Sequence, residues 1–186
     1  MNSGVDVFYW DACIFYEFIR DEPVQHLKKL AVQEFLLDNV QKRNRICTSV
    51  FTHLEVFPKK VTAEQDALYW GKFNSPYFFD IEISSPIIQL ARELREFYYV
   101  EPVGDAHAKV MSSGDSIHLA TAIIHEVTEF HTRDGKTKGG NVPLIGLSEN
   151  SPGGKLCGKY DLKIVNPEAV QTEMFVARDE PRRPDQ

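Results

Sequence analysis

Apolar and polar positions along this chain follow two different periods. Residues 5–10 (VDVFYW) form a short run of β-branched and aromatic residues that stops at Asp11, the pattern of a buried strand delivering an acid at its carboxyl end. Glu22-Pro23 opens a helix, since proline is tolerated in a first turn. Val24, Leu27, Ala31 and Phe35 then share one helical face. Residues 46–48 predict a second strand, followed by a helix through Glu55 that Pro58 stops. Thr62-Ala63-Glu64-Gln65 matches a capping box and starts another helix. Residues 79–83 (FDIEI) alternate as a strand at a sheet edge does, and Ser85-Pro86 begins a helix to about residue 99. Gly114-Asp115 precedes a helix over 116–126 with Ile117, Ala120, Thr121 and Ile124 on one face. A strand over 127–132 ends near Asp134, and a last strand spans 162–165, closed by Asn166-Pro167. Between them, 135–158 holds seven glycines and two prolines. That composition predicts a long surface loop with one short strand over 142–147. Long loops in compact domains are functional or disordered. The order of elements predicts an α/β fold, with helices on both faces of a mostly parallel sheet.

Length and composition narrow this picture. The chain has 186 residues, 42% hydrophobic and 26% charged, which suits one packed domain over 1–168 with a mobile tail over 169–186 and excludes a wholly disordered chain. No apolar run reaches the ~18–20 residues that span a bilayer, so no membrane association is expected. The first residues do not read as a signal peptide. Cys13, Cys47 and Cys157 are far apart and odd in number. A disulfide framework or zinc knuckle is therefore not expected, a cytoplasmic protein is, and Cys13 and Cys47 read as small core residues. A net charge of −6 argues against coating nucleic acid by bulk positive charge. It leaves open an enzyme with a local basic rim and carboxylates in its cleft.

Four acids stand at junctions of the predicted elements: Asp11 after the first strand, Glu55 on the helix after the second, Asp115 at a helix start, and Asp134 after a later strand. Singly, each has a plain structural reading: Asp115 as a helix cap, Asp134 in Asp-Gly as a turn residue. In an α/β sheet, however, ligand sites lie outside the carboxyl ends of the strands. Carboxylates gathered there repel one another, and a divalent cation offsets the repulsion. An all-oxygen donor set favours Mg²⁺ or Mn²⁺ over Zn²⁺.

The order of Asp11, Glu55, the segment GDSIHLATA over 114–122, and Thr132-Arg133-Asp134 resembles the PIN-domain ribonucleases. The nearest likeness is to the small prokaryotic branch (VapC-like) that includes toxins of toxin–antitoxin pairs. It covers roughly 5–134 and the final strand LKIVNP. The resemblance implies a Rossmann-like three-layer α/β/α fold and Mg²⁺- or Mn²⁺-dependent endonucleolytic cleavage of RNA, commonly by a homodimer that an antitoxin protein binds. Position by position, it implies that Asp11, Glu55, Asp115 and Asp134 are catalytic and hold the metal, with the hydroxyl of Thr132 beside the last acid. The residue two after the first acid, small and polar in that family, is Cys13 here.

Arg133, Lys136 and Lys138 flank Asp134 as candidate contacts to RNA phosphates, and Thr132 joins them as a candidate substrate-binding residue. The clusters Lys42-Arg43-Arg45 and Lys59-Lys60 read as solvated surface. His118 lies three residues after Asp115, on the same helical side. Its favoured reading is a buried, hydrogen-bonded histidine, and His53 reads as structural. Phe15, Tyr16 and Phe18 read as core, with a dimer or antitoxin contact as the rival. Two other classes compete with the nuclease. A PIN-like scaffold without turnover would bind RNA or a protein partner. A receiver-type phosphoacceptor ranks lower, because Asp11 has no acidic neighbour.

Overall fold

The predicted strands, one excepted, meet in a single sheet. The computed structural model describes residues 4–19, 26–56, 61–103, 108–136 and 140–167. Strands β1 (Asp6–Trp10), β2 (Asn44–Ser49), β3 (Phe78–Ile81), β4 (Glu129–His131) and β5 (Lys163–Val165) line up in the order β3-β2-β1-β4-β5. Every adjacent pair is parallel, so the sheet is wholly rather than mostly parallel. β3 lies at an edge, as its alternating pattern predicts. The described helices are α1 (Ala12–Ile19), α2 (His26–Val40), α3 (Phe51–Val56), α4 (Ala63–Trp70), α5 (Ser85–Phe97) and α6 (Ser113–Ile124).

Successive strand residues point to opposite faces, and each face carries its own core. On one, Tyr9, Cys47 and Phe130 pack with Leu90 and Leu94 of α5 and Leu119 and Ala122 of α6. On the other, Trp10, Ile46 and Phe78 pack with Ile14 and Phe15 of α1, Val32 and Leu36 of α2 and Tyr69 of α4. Burying each large side chain contributes about 1.5–3 kcal/mol. The result is a Rossmann-like three-layer α/β/α sandwich. No described helix is long and apolar enough to cross a membrane.

Local sequence rules explain most boundaries. Thr62 caps α4 by accepting the Gln65 N–H while the Gln65 side chain accepts the Thr62 N–H, completing the capping box. Pro86 sits in the first turn of α5. The Glu22-Pro23 start, Pro58, Lys59-Lys60, Lys138 and residues 168–186 lie outside the described residues, and so do the side chains of Phe18 and Leu27.

Two expectations need correction. The pattern assigns no helix to 12–19, yet α1 is there. Its residues ACIFYEFI are apolar on nearly every side, so no stripe marks the period. Conversely, 142–147 is not a strand: Asn141 makes one isolated bridge to Val110, after which the chain turns. Pro143 has no N–H for a ladder, and Gly146 takes a positive φ of 89°, which breaks an extended path. Nor is this segment a loose surface loop. Leu144, Leu147, Leu156 and Leu162 are buried in the core beneath α5 and α6. The Tyr98 hydroxyl meets Ser151 Oγ at 2.8 Å and accepts the Cys157 N–H at 3.0 Å.

Candidate metal centre

β1 and β4 are neighbours, but the chain leaves them over opposite faces. β1 runs into α1 on the Trp10 face, and β4 runs into the 140–162 segment on the Tyr9 face. Such a divergence opens a crevice at the strands' carboxyl ends. Here it is an open cleft of about 810 Å³ lined by Asp11, Glu55, Asp115 and Asp134 together with Arg133 and Lys136.

Asp11 sits at the end of the ladder, its N–H donated to the His131 carbonyl at 3.1 Å. The residue is 6% exposed and its side chain well supplied with donors. Oδ1 accepts the Ala12 N–H at 2.7 Å, and Oδ2 accepts the Thr132 hydroxyl at 2.7 Å and the Cys13 thiol at 3.1 Å. The Thr132 hydroxyl also accepts the Asp134 N–H at 3.1 Å, so one fully buried side chain ties the first acid to the last. Thr132 is 0% exposed, its hydroxyl turned to the Asp11 carboxylate and the Asp134 main chain. Cys13 likewise is no plain core residue. Its sulfur accepts the Arg133 N–H at 3.1 Å while donating to Asp11. Burial and the Asp11 charge push its thiol well above the usual range, which keeps the proton it donates.

Glu55 projects from α3, whose main chain is held by the Tyr16 hydroxyl donating to the Glu55 carbonyl at 2.5 Å. His118 Nε2 lies 2.6 Å from Glu55 Oε2. Burial opposes a charge on His118, but the Glu55 hydrogen bond and the fields of Asp11, Glu55 and Asp115 outweigh it and raise the imidazole above its ordinary range. Asp115 is not the cap of α6, as its sequence position suggests. Ser112 is, accepting the Asp115 N–H at 3.0 Å and donating its own hydroxyl to Asp115 Oδ2 at 2.6 Å. Burial, and then the charges of Asp11 and Asp134, push the Asp115 carboxyl up to about 6 against the Ser112 hydrogen bond.

The four acids thus share one cleft, in two tiers. Asp11, Glu55 and His118 bring ligand atoms within 4.8 Å of one another, a group that could hold a metal ion. Asp115 and Asp134 line the cleft outside that tight group. Arg133 donates to Asn166 Oδ1. The sequence reading gave no site role to Ser112, Asn141 or Ile145, all of which line the cleft. Only the i, i+3 spacing of Asp115 and His118 signalled that the histidine stands beside these acids. His53 is structural as expected: its ring bridges the Tyr69 hydroxyl at 2.6 Å and Asp80 at 2.8 Å.

No protein-family model and no curated protein matches the chain. The cleft's acids are mutually repulsive: burial first, and then the charges of Asp11 and Asp134, push the Asp115 carboxyl up to about 6. A cation between them would relieve that repulsion.

Proposed function

We propose that the chain is a metal-dependent endoribonuclease of the PIN-domain type. The observation that carries this reading is the convergence of Asp11, Glu55, Asp115 and Asp134 on one cleft at the sheet's switch point. These residues are 19 to 123 positions apart along the chain and come from different parts of the fold. Mg²⁺ or Mn²⁺ held there would supply an activated water and neutralise charge on a phosphodiester undergoing in-line attack. Asp11 and Glu55 would bind the ion directly. Asp115 and Asp134 would complete its surroundings and orient the attacking water. Arg133 and Lys136 on the rim would draw the phosphate backbone in, since the acidic body of the protein does not.

The test is cleavage of end-labelled single-stranded RNA with Mg²⁺ or Mn²⁺, with and without EDTA. Endonucleolytic products that need the metal, and that fall at least about 100-fold in Asp11→Asn and Asp115→Asn while the fold is retained, support the reading. Cleavage by the Asn variants at the wild-type rate overturns it. Binding of RNA with no cleavage under any metal favours the inactive scaffold instead.

A further inference from the structure

His118 is 1% exposed, and both its ring nitrogens are engaged. Nδ1 lies 2.7 Å from the hydroxyl of Tyr9, itself fully buried. Nε2 lies 2.6 Å from Glu55 Oε2 and 3.9 Å from Asp11 Oδ1. The chemistry of these partners assigns the protons. A carboxylate only accepts, so Nε2 carries the hydrogen. A hydroxyl both donates and accepts, so Tyr9 can donate to Nδ1. The hydrogen bonds then run in one direction, from Tyr9 through the imidazole to Glu55.

A nitrogen that carries this hydrogen has no lone pair for a metal. We infer that His118 is a positioning residue, which holds Glu55 in its liganding orientation through the Tyr9–His118–Glu55 chain and does not itself ligate the ion. This rests on the metal-site reading above.

A second observation bears on the same carboxylate. A Cβ at Gly114 would come 2.4 Å from Glu55 Oε1. The glycine therefore leaves a notch for one oxygen while His118 holds the other. Glu55 needs this support more than Asp11 does. It is a long side chain, about one-third exposed, on a helix of six residues, whereas Asp11 is buried with three donors of its own. Left free, Glu55 would give up its rotamer freedom each time an ion bound.

The experiment is Mn²⁺ binding to the full chain, followed by electron paramagnetic resonance, in wild type, His118→Leu, His118→Gln and Tyr9→Phe. Outer partners of metal ligands typically contribute about 10–100-fold in affinity. His118→Leu is expected to bind Mn²⁺ that much more weakly. Gln, whose amide can place an N–H near the Nε2 position, should recover most of the loss, and Tyr9→Phe should show a smaller loss. Pulsed resonance on the wild-type Mn²⁺ complex should show no coupling to a directly bound imidazole nitrogen. Such a coupling, abolished in His118→Leu, would make His118 a ligand and overturn the inference. So would wild-type affinity in His118→Leu. If that variant does not fold, Tyr9→Phe decides: unchanged affinity overturns the inference and a severalfold loss supports it. Wild type that binds no Mn²⁺ sinks the metal reading and the inference together, whereas the other adverse outcomes sink the inference alone.

Discussion

At the scale of single residues, the cleft is a balance between like charges and the donors that tolerate them. Asp11 has three donors and Asp115 a hydroxyl, yet burial, and then the neighbouring charges, still push the Asp115 carboxyl up to about 6. Its folded-state value lies above the unfolded one. The protonated form therefore favours the folded state at low pH, and this contribution is lost as pH rises from about 4 through 6. Without divalent metal, Asp115→Asn should accordingly stabilise the protein at pH 8, by roughly 1–3 kcal/mol, as thermal melts in EDTA would register. The same proton competes with a cation. Mn²⁺ affinity should fall as pH drops through about 6, and calorimetry across pH 5–8 reads that dependence. Gly114→Ala separates folding from function. Alanine favours a helix by about 1 kcal/mol, but its Cβ would collide with Glu55 Oε1. Since the obstructed atom ends a flexible side chain, Glu55 should swing aside. The expected result is an unchanged or higher melting temperature with Mn²⁺ binding weakened at least tenfold; a variant that binds as tightly as wild type would contradict the notch.

Elements show why some of this was legible in advance. β1 and β2 announce themselves through runs of strand formers, α4 through its capping box and α5 through Ser85-Pro86, because these signals act over a few neighbouring residues. α1 was hidden for the opposite reason: it is apolar on most sides, as a helix pressed against a sheet and three other helices can be. That mattered for the site, since α1 carries Cys13 and Tyr16 into the cleft. The short strands β4 and β5 are held partly by a pair that no local pattern reveals. Glu129 and Lys163 stand opposite one another in register, joined at 2.5 Å. The His131 hydrogen bond first, then Lys163, draws the Glu129 carboxyl down to about 2. A depressed acid stabilises the fold above its unfolded value and loses that contribution as pH falls through about 4 towards 2. Glu129→Gln should therefore lower stability by about 1 kcal/mol at pH 7, after allowance for the exposed lysine. In urea unfolding the difference from wild type should shrink by roughly half at pH 3 and largely disappear by about pH 2.

For the whole molecule, the decisive feature is where the sheet changes direction. The chain builds β1, β2 and β3 to one side, then returns to lay β4 and β5 on the other, and the cleft follows from that return. The glycine-rich stretch after β4 closes one wall of it. The Asp134 carbonyl accepts N–H groups from Leu144 at 3.0 Å and Ile145 at 2.9 Å, so the segment fixes the backbone of the fourth acid. Because Leu156 is fully buried, Leu156→Ala should cost about 2–5 kcal/mol in chemical denaturation; a loss below about 0.5 kcal/mol would mean the segment is a dispensable loop. The α/β class, most element positions and the identity of the four acids could be read from the chain alone, because periodicity, capping and strand-end placement are local properties. The packing of 140–162, the burial of Thr132, the contact of Cys13 with Arg133, and the link from Tyr9 through His118 to Glu55 could not. Each joins residues 63 to 121 positions apart or depends on which face of the sheet a segment covers, and such proximity is set by the folded topology and leaves no trace in local pattern.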